Sequence, residues 1–443
     1  MECVASLKRS ISVRRVEFDF HVHRNACFDY KNIYLGEGVK ETKKHLYILG
    51  FLQKKSEGGI VMNELTKVKV RYAITALIIG FLAGWVFITM LSPGKAGNES
   101  ETIKFAFLGG MTGDIAVYGV PMSDAVKLAI EEINSKGGIK GKNIELLIED
   151  GKCAGKDAAT AIQKLINVDK VNAVIGGLCS AETLAAAPIA EAAEMVMLSP
   201  SSTNPTIKNA GDFIFRNVPS DAGQGVEAAT FMNEKGYKKI GVLSRNDEWG
   251  VALAEVFVNK AEELGIEIVA HEKVEPSATD AKTQITKIKN ANPDAVYLPV
   301  FVAEGIIVLK QMKELGLNVP KVSADAVKDD SLTRDAGQAA EGLIFLLPGI
   351  PESPEFKAFA AAYKAKYGKE YAAYTSESYD AVKILAWACG NSDCSGKGIK
   401  EALYSMPEYK GASGTYAFDE FGEVMKGYDF FEVKNGEIVP FER

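Results

Sequence analysis

Histidine is almost missing from most of this chain. Of four in 443 residues, His21, His23 and His45 lie in the first sixty, leaving His271 alone in the remainder. So little imidazole leaves small scope for histidine-based acid–base chemistry or zinc ligation. No Gly-x-Ser-x-Gly elbow, His-Glu-x-x-His pair or Walker loop is present. Gly109-Gly110-Met111-Thr112-Gly113 lacks the spacing of a dinucleotide loop and reads as a turn that allows close approach of a ligand. The expectation is a protein without catalysis, cofactor or metal. Nucleic acid is excluded on charge: residues 99–443 hold 36 Lys/Arg against 50 Asp/Glu, a net of −14, with no basic run.

Long apolar runs are also absent, with one exception. Residues 72–91 carry no charge, with Lys67, Lys69 and Arg71 before them and Glu99 and Glu101 after. Twenty helical residues span about 30 Å, enough for a bilayer core, and the basic flank should stay cytoplasmic. No convincing small-x-small cleavage site and no lipid-acceptor cysteine follow, so the run is expected to be an uncleaved anchor. That makes 62–71 a cytoplasmic stub, 92–101 a linker, and all that follows extracytoplasmic. Residues 1–61 lack apolar periodicity, and the expectation is a disordered leader or one that is not made, with translation starting at Met62.

Cysteine is sparse but even in number beyond the anchor: Cys153, Cys179, Cys389 and Cys394. Outside a membrane an even set favours disulfides. Cys153 follows an apolar strand at 144–149 and Cys179 another at 173–175; if those strands are neighbours, their loops meet at one sheet edge. Cys389 and Cys394 would staple a helix end. A zinc site and free thiols are the alternatives.

From residue 102 short apolar strands alternate with amphipathic helices: strand 103–108, helix 122–134, strand 144–149, helix 158–168, strand 173–175, helix 182–193, strand 195–198. The pattern breaks at 212–220 and begins again with helix 225–235 and strand 239–244. It then runs to strand 343–347, followed by helices at 354–367 and 376–389 and a β-rich tail from Gly414. Repeated βα alternation predicts right-handed crossovers and parallel sheets. Two series of similar length predict an α/β protein of two doubly wound lobes joined by a hinge, with a cleft where the carboxyl edges face each other. The lobes are expected at 102–220 plus about 348–427, and 221–347 plus about 428–443.

Two turns stand out. Gly176-Gly177-Leu178-Cys179-Ser180 and Leu198-Ser199-Pro200-Ser201-Ser202-Thr203 each follow a strand and open a helix-like stretch. Such turns present backbone N–H groups and hydroxyls that receive a small anion; ordinary helix capping is the other reading. Across the cleft, loops of the second series carry Trp249, Phe301 and Asp325. A carboxylate grip on one side, with aromatic surface and a single acid on the other, suits an amino acid.

With these residues in view, residues 103–440 resemble the branched-chain amino-acid-binding proteins of ABC transporters, which have the periplasmic binding protein type I fold. The markers are Gly109-Gly110-Met111-Thr112-Gly113, Glu131-Glu132-Ile133-Asn134 with Gly137-Gly138-Ile139, Gly177-Leu178-Cys179-Ser180, Ser199-Pro200-Ser201-Ser202-Thr203, and Asp247-Glu248-Trp249-Gly250. The resemblance implies a disulfide between Cys153 and Cys179. It implies that Ser180 and Thr203 hold a ligand carboxylate, that Ser201 and Ser202 offer backbone groups, and that Asp325 meets the ammonium. It further implies a side-chain pocket of Tyr118, Leu178, Trp249, Phe301 and Tyr374, and permease and ATPase subunits as partners. A sensor domain, and a carrier for small amides or urea, are the rival functions on the same fold.

Overall fold

The computed structural model describes residues 65, 68, 69, 71–76, 102–349 and 351–443. The chain forms two units, Met1–Gly94 and Lys95–Arg443. In the first, the described residues are helical. Among the described residues no helix is long and apolar enough to cross a membrane; of the expected anchor at 72–91 only 72–76 are described. The expected leader at 1–61, most of the stub and the linker up to 101 lie outside the described residues.

The second unit begins with β1 (Ile103–Gly109), α1 (Ala116–Ser135), β2 (Ile144–Asp150), α2 (Gly155–Lys164), β3 (Ala173–Gly176), α3 (Ser180–Ala192), β4 (Met197–Ser199) and β5 (Ile214–Arg216). The five strands form one parallel sheet in the order β2-β1-β3-β4-β5. β1 shows why. Successive side chains of a strand point to opposite faces: Phe105 and Phe107 pack with Met122, Val126 and Ala129 of α1, while Ala106 and Leu108 pack with Ala158, Ile162, Ala186 and Ala187 of α2 and α3. A strand covered on both faces must be apolar throughout, which is the signature of a doubly wound parallel sheet.

The chain continues with α4 (Asp221–Glu234), β6 (Lys239–Arg245), α5 (Glu248–Glu263), β7 (Glu267–Val274), α6 (Lys282–Asn290), β8 (Ala295–Leu298), α7 (Val302–Glu314), β9 (Lys321–Ser323), α8 (Asp330–Ala336) and β10 (Leu343–Pro348). These strands form a second sheet with β13 (Tyr428–Lys434) and β14 (Glu437–Pro440), in the order β14-β13-β10-β9-β8-β6-β7. Val242, Tyr297 and Val322 pack against α4 and α5, and Leu243, Val296 and Leu298 against α6 and α7.

After β10 come α9 (Pro354–Tyr367), α10 (Thr375–Gly390), α11 (Gly396–Tyr404), the hairpin β11 (Tyr409–Gly411) and β12 (Gly414–Tyr416), then β13 (Tyr428–Lys434) and β14 (Glu437–Pro440). α10 lies along α1, where Tyr379 and Lys383 both donate to Glu132, at 2.6 and 2.8 Å. β13 runs antiparallel to β10 in the second sheet. The chain therefore passes between the sheets three times: at 217–220, after β10, and before β13.

Both disulfides are formed, Cys153–Cys179 with Cα atoms 5.2 Å apart and Cys389–Cys394 with Cα atoms 4.2 Å apart. The strands leading to Cys153 and Cys179 are not neighbours, contrary to expectation. β1 lies between β2 and β3, so the bridge crosses over the end of β1. Gly109 ends β1 there, and a Cβ on it would come within 3.0 Å of the Leu178 Cβ. Four elements were not read from sequence, among them β11, which precedes the tail expected from Gly414. β5 occupies the apparent break at 212–220, being only three residues long, and α8 and α11 are short helices.

Candidate functional site

The turns after β3 and β4 are stitched to one another. Ser199 Oγ donates to Gly177 O at 2.8 Å, and Ser201 Oγ to Leu178 O at 2.8 Å. Ser202 Oγ lies 3.0 Å from Gly177 O and 2.7 Å from Thr183 Oγ1. Arg216, itself buried, donates to Asn204 O at 2.9 Å and pairs with Glu423, fixing the second turn from below. The serine hydroxyls of that turn are thus committed within the protein. Ser180 differs: its Oγ accepts from Asn204 N at 3.2 Å, which leaves its proton to donate to a ligand. Ser180 also opens α3, where the first N–H groups have no helical partner.

Thr203 turns the other way. Its hydroxyl donates to Asp221 Oδ2 at 2.7 Å, so the Thr203 oxygen can act only as an acceptor toward anything in the cleft. Asp221 is the first residue of α4 and Asp325 follows β9; both are fully buried. Burial pushes both carboxyls up from their ordinary range. Asp221 is raised further by the charge of Asp325, while Tyr374, donating to Asp325 Oδ2 at 2.6 Å, favours the ionised form of its partner. The remaining oxygen of Asp221 and the Tyr297 hydroxyl have no hydrogen-bond partner among the described residues, while Gln224 and Trp249 face Asp325 and Asp221, respectively, and favour their ionised forms. Two acids with unpartnered polar neighbours form a site that favours a cation.

Between these features is a cavity with about 330 Å³ of empty space, the solvent at its mouth included. Tyr118, Leu178, Ser180, Ser201, Trp249, Phe301 and Tyr374 line it, together with Ile115, Cys179 and Ala326. Ser202, Thr203 and Asp325 do not line it; all three are buried just behind. Trp249 and Phe301 pack with ring centres 4.9 Å apart, and Tyr118 lies 5.9 Å from Phe301. Arg245 sits 4.2 Å over Phe301, but its charge is met by Asp247 at 2.6 Å and by Glu304. Tyr118, from α1, donates to Ala326 O and accepts from Val302 N at 3.2 Å. That hydroxyl ties the first sheet's side of the cleft to two loops of the second. Tyr374 adopts a left-handed backbone with φ of 62° at the start of α10, an uncommon conformation for a bulky residue.

Sequence reasoning missed Asp221, Gln224 and Tyr297. The helix expected at 225–235 leaves both Asp221 and Gln224 outside it, whereas α4 begins at Asp221 with Ser220 capping it. Their spacing of three places both on one helical face, which was the available signal. His271, expected mid-strand and away from the cleft, lies in β7 and meets Ser244 at 3.3 Å. Among the described residues no group of three or more His, Cys, Asp or Glu is arranged to hold a metal.

Two doubly wound sheets, three crossings and a cavity at their carboxyl edges define a two-lobed binding protein. The chain belongs to the periplasmic binding protein family, whose profile matches residues 102–437. It is 32% identical over 360 residues to the leucine-, isoleucine-, valine-, threonine- and alanine-binding protein of Pseudomonas aeruginosa, covering 78% of this chain and 93% of that one. A leucine binding protein from Thermotoga maritima is 31% identical with a TM-score of 0.72, covering 77% of this chain and 98% of its own. A branched-chain amino acid transporter substrate binding protein from Streptococcus pneumoniae, in complex with isoleucine, is 29% identical with a TM-score of 0.71, covering 76% and 97%.

Proposed function

We propose that this protein is the extracytoplasmic solute-binding component of an ABC importer and carries an amino acid with an apolar, branched side chain. The observation that carries the reading is the polarity of the cavity. On one side are the free Ser180 proton and the start of α3; on the other, the buried Asp221 and Asp325; between them, Leu178, Trp249, Phe301 and Tyr118. An α-carboxylate suits the first side, an α-ammonium the second, and an aliphatic side chain the middle. The family's relatives that bind leucine, isoleucine and valine support the same ligand class.

The mechanism is hinge closure. The three crossings act as the hinge between lobes at 102–220 plus about 348–427, and 221–347 plus about 428–443. The carboxylate docks on the Ser180 turn, the Thr203 oxygen accepts from the ammonium, and Asp325 with the second-sheet aromatics favours the closed form. The closed form then delivers to a permease with its ATPase subunits. Residues 72–91 anchor the protein beside that permease, a reading supported by the uncharged run and its basic flank. Nothing in the cavity calls for catalysis.

Thermal unfolding of the purified protein against amino acids, amides and small carboxylates tests this. A ligand at 100-fold its Kd adds about 2.7 kcal/mol of stability, so leucine, isoleucine or valine should raise Tm measurably. Stabilisation by amides or urea alone would replace the ligand; no response to any α-amino acid would refute the assignment of Ser180, Thr203 and Asp325.

A further inference from the structure

Directly behind the Ser180 turn is a carboxylate that the proposed binding mechanism leaves unused. Glu182, completely buried in the first turn of α3, accepts from Leu178 N at 2.8 Å and Cys179 N at 2.9 Å through one oxygen. Its other oxygen accepts from Cys153 N at 2.9 Å. One side chain therefore ties together the two loops that the disulfide also joins. Room for it is built in: a Cβ on Gly151 would come within 2.2 Å of its oxygen, and one on Gly177 within 2.6 Å of its Cβ. Helix capping alone needs a bond to the Cys179 N–H; the Leu178 and Cys153 bonds go beyond it. They also withdraw those N–H groups from any ligand, leaving the hydroxyl and N–H of Ser180 as the turn's donors.

A buried anion at this place has an electrostatic consequence. A carboxylate settling at Ser180 would share the start of α3 with Glu182, and two anions at one helix terminus repel. We propose, on the reading of this cavity as the seat of a ligand carboxylate, that Glu182 positions the Ser180 turn and takes up a proton when that carboxylate binds. Burial already pushes Glu182 up to about 7, against the pull of the N–H groups of Cys179, Cys153 and Leu178. Asp150, at the end of β2, is the charged group facing it and raises it further. Burial works against the charge of Asp150 as well, but the Thr112 hydroxyl and the Met111 and Lys152 N–H groups keep it ionised. The ammonium of Lys152 is engaged by Asp157 at 3.1 Å. The remaining partners of Glu182 are backbone N–H groups, and its helix neighbour Thr183 is neutral. Protonation is thus the available response to a second negative charge.

The test compares leucine affinity from pH 6 to 8 in the wild-type protein and in Glu182→Gln. The comparison cancels the contribution of Asp221 and Asp325, which the ligand's ammonium pushes the opposite way. The wild type should weaken relative to the variant as pH rises, by up to about tenfold, the size of one pKa unit of coupling. A second measurement needs no variant. Infrared difference spectra of wild-type protein labelled with [13C]glutamate should gain a protonated, isotope-shifted carboxyl band when leucine is added at pH 7. The labelled band separates glutamate from the two aspartates. Parallel pH profiles, or a spectrum without that band, would overturn the proposal. Failure of leucine to bind at every pH would instead overturn the ligand reading beneath it.

Discussion

The two walls of the cleft solve opposite problems. On the first-sheet side, Ser199, Ser201 and Ser202 spend their hydroxyls on the carbonyls of Gly177 and Leu178, a disulfide bridges the loops, and Arg216 holds the turn from below. Apart from the Ser180 proton and the Arg216 Nε, that wall's polar groups named here are satisfied without a ligand. On the second-sheet side, Asp221 and Asp325 are buried close enough to oppose one another, and an Asp221 oxygen and the Tyr297 hydroxyl lack partners among the described residues. An unsatisfied buried polar group costs about 1–3 kcal/mol, so this wall is completed by what it binds. Rigidity and affinity are therefore assigned to different sides, and substitutions on the two should separate stability from binding.

The largest expected effect lies at Asp325. Replacing it by Ala removes one partner of a buried charge pair, a loss of about 2–5 kcal/mol, or roughly 30-fold to several thousandfold in Kd. Asp325→Asn should weaken binding similarly yet leave the empty protein as stable or more so, because the repulsion with Asp221 disappears. Calorimetric titration with leucine, and thermal scans without it, read the two quantities separately. A destabilised Asn variant that bound normally would erase the contrast between the walls.

Next comes the disulfide on the first-sheet side. Cys153–Cys179 spans a sequence separation of 26 and Cys389–Cys394 one of 5. Loop entropy alone then gives about 3.5 kcal/mol for the first and about 2 kcal/mol for the second. Paired Ser substitutions at each bridge, compared by denaturant midpoints, should rank in that order. Loss of the first should also weaken ligand binding, since it carries the Ser180 turn.

Two serines within that wall sharpen the comparison further. Ser180→Ala deletes a hydroxyl whose proton is free, so affinity should fall by about 1–1.5 kcal/mol, and the Asn204 N–H left without its acceptor should lower Tm as well. Ser202→Ala deletes a hydroxyl bonded only within the protein and should lower stability by a similar amount. If Ser202→Ala reduced affinity more than Ser180→Ala did, the roles given to the two hydroxyls would be reversed.

Much of this frame was legible in the sequence. Strands buried on both faces, such as β1 and β8, announce themselves as apolar runs, and α9 begins and ends as its pattern predicts, with Ser353 capping it and Gly368 closing it. Sheet order was not legible: β1 lies between the strands that lead to Cys153 and Cys179, and no local pattern carries that information. The cavity's lining residues were named by resemblance, but hydrogen-bond direction was hidden. Whether Thr203 gives or receives a proton depends on Asp221, eighteen residues on, and Ser201 on a carbonyl twenty-three residues back. Asp221 itself was passed over because the expected helix began at 225, four residues after the true start.

The smallest effect should be in pH dependence, where the second wall again betrays its incompleteness. Asp221 and Asp325 are both raised by burial in the folded protein. Folded protein thus keeps protons that the unfolded chain releases near pH 4, and stability must fall as pH rises through the folded values. His271, lowered by burial, acts in the opposite direction as pH falls; it lies in β7, away from the cleft, so it contributes equally with and without ligand. Empty protein should therefore lose Tm between pH 5 and 7.5 relative to Asp325→Asn, by a shift on the order of 2–4 °C. Saturating leucine should flatten the difference, because an ammonium between the acids favours their ionised forms. If wild type and Asp325→Asn ran parallel with and without leucine, the acids would carry no strain for the ligand to relieve, and the second wall would be as complete as the first.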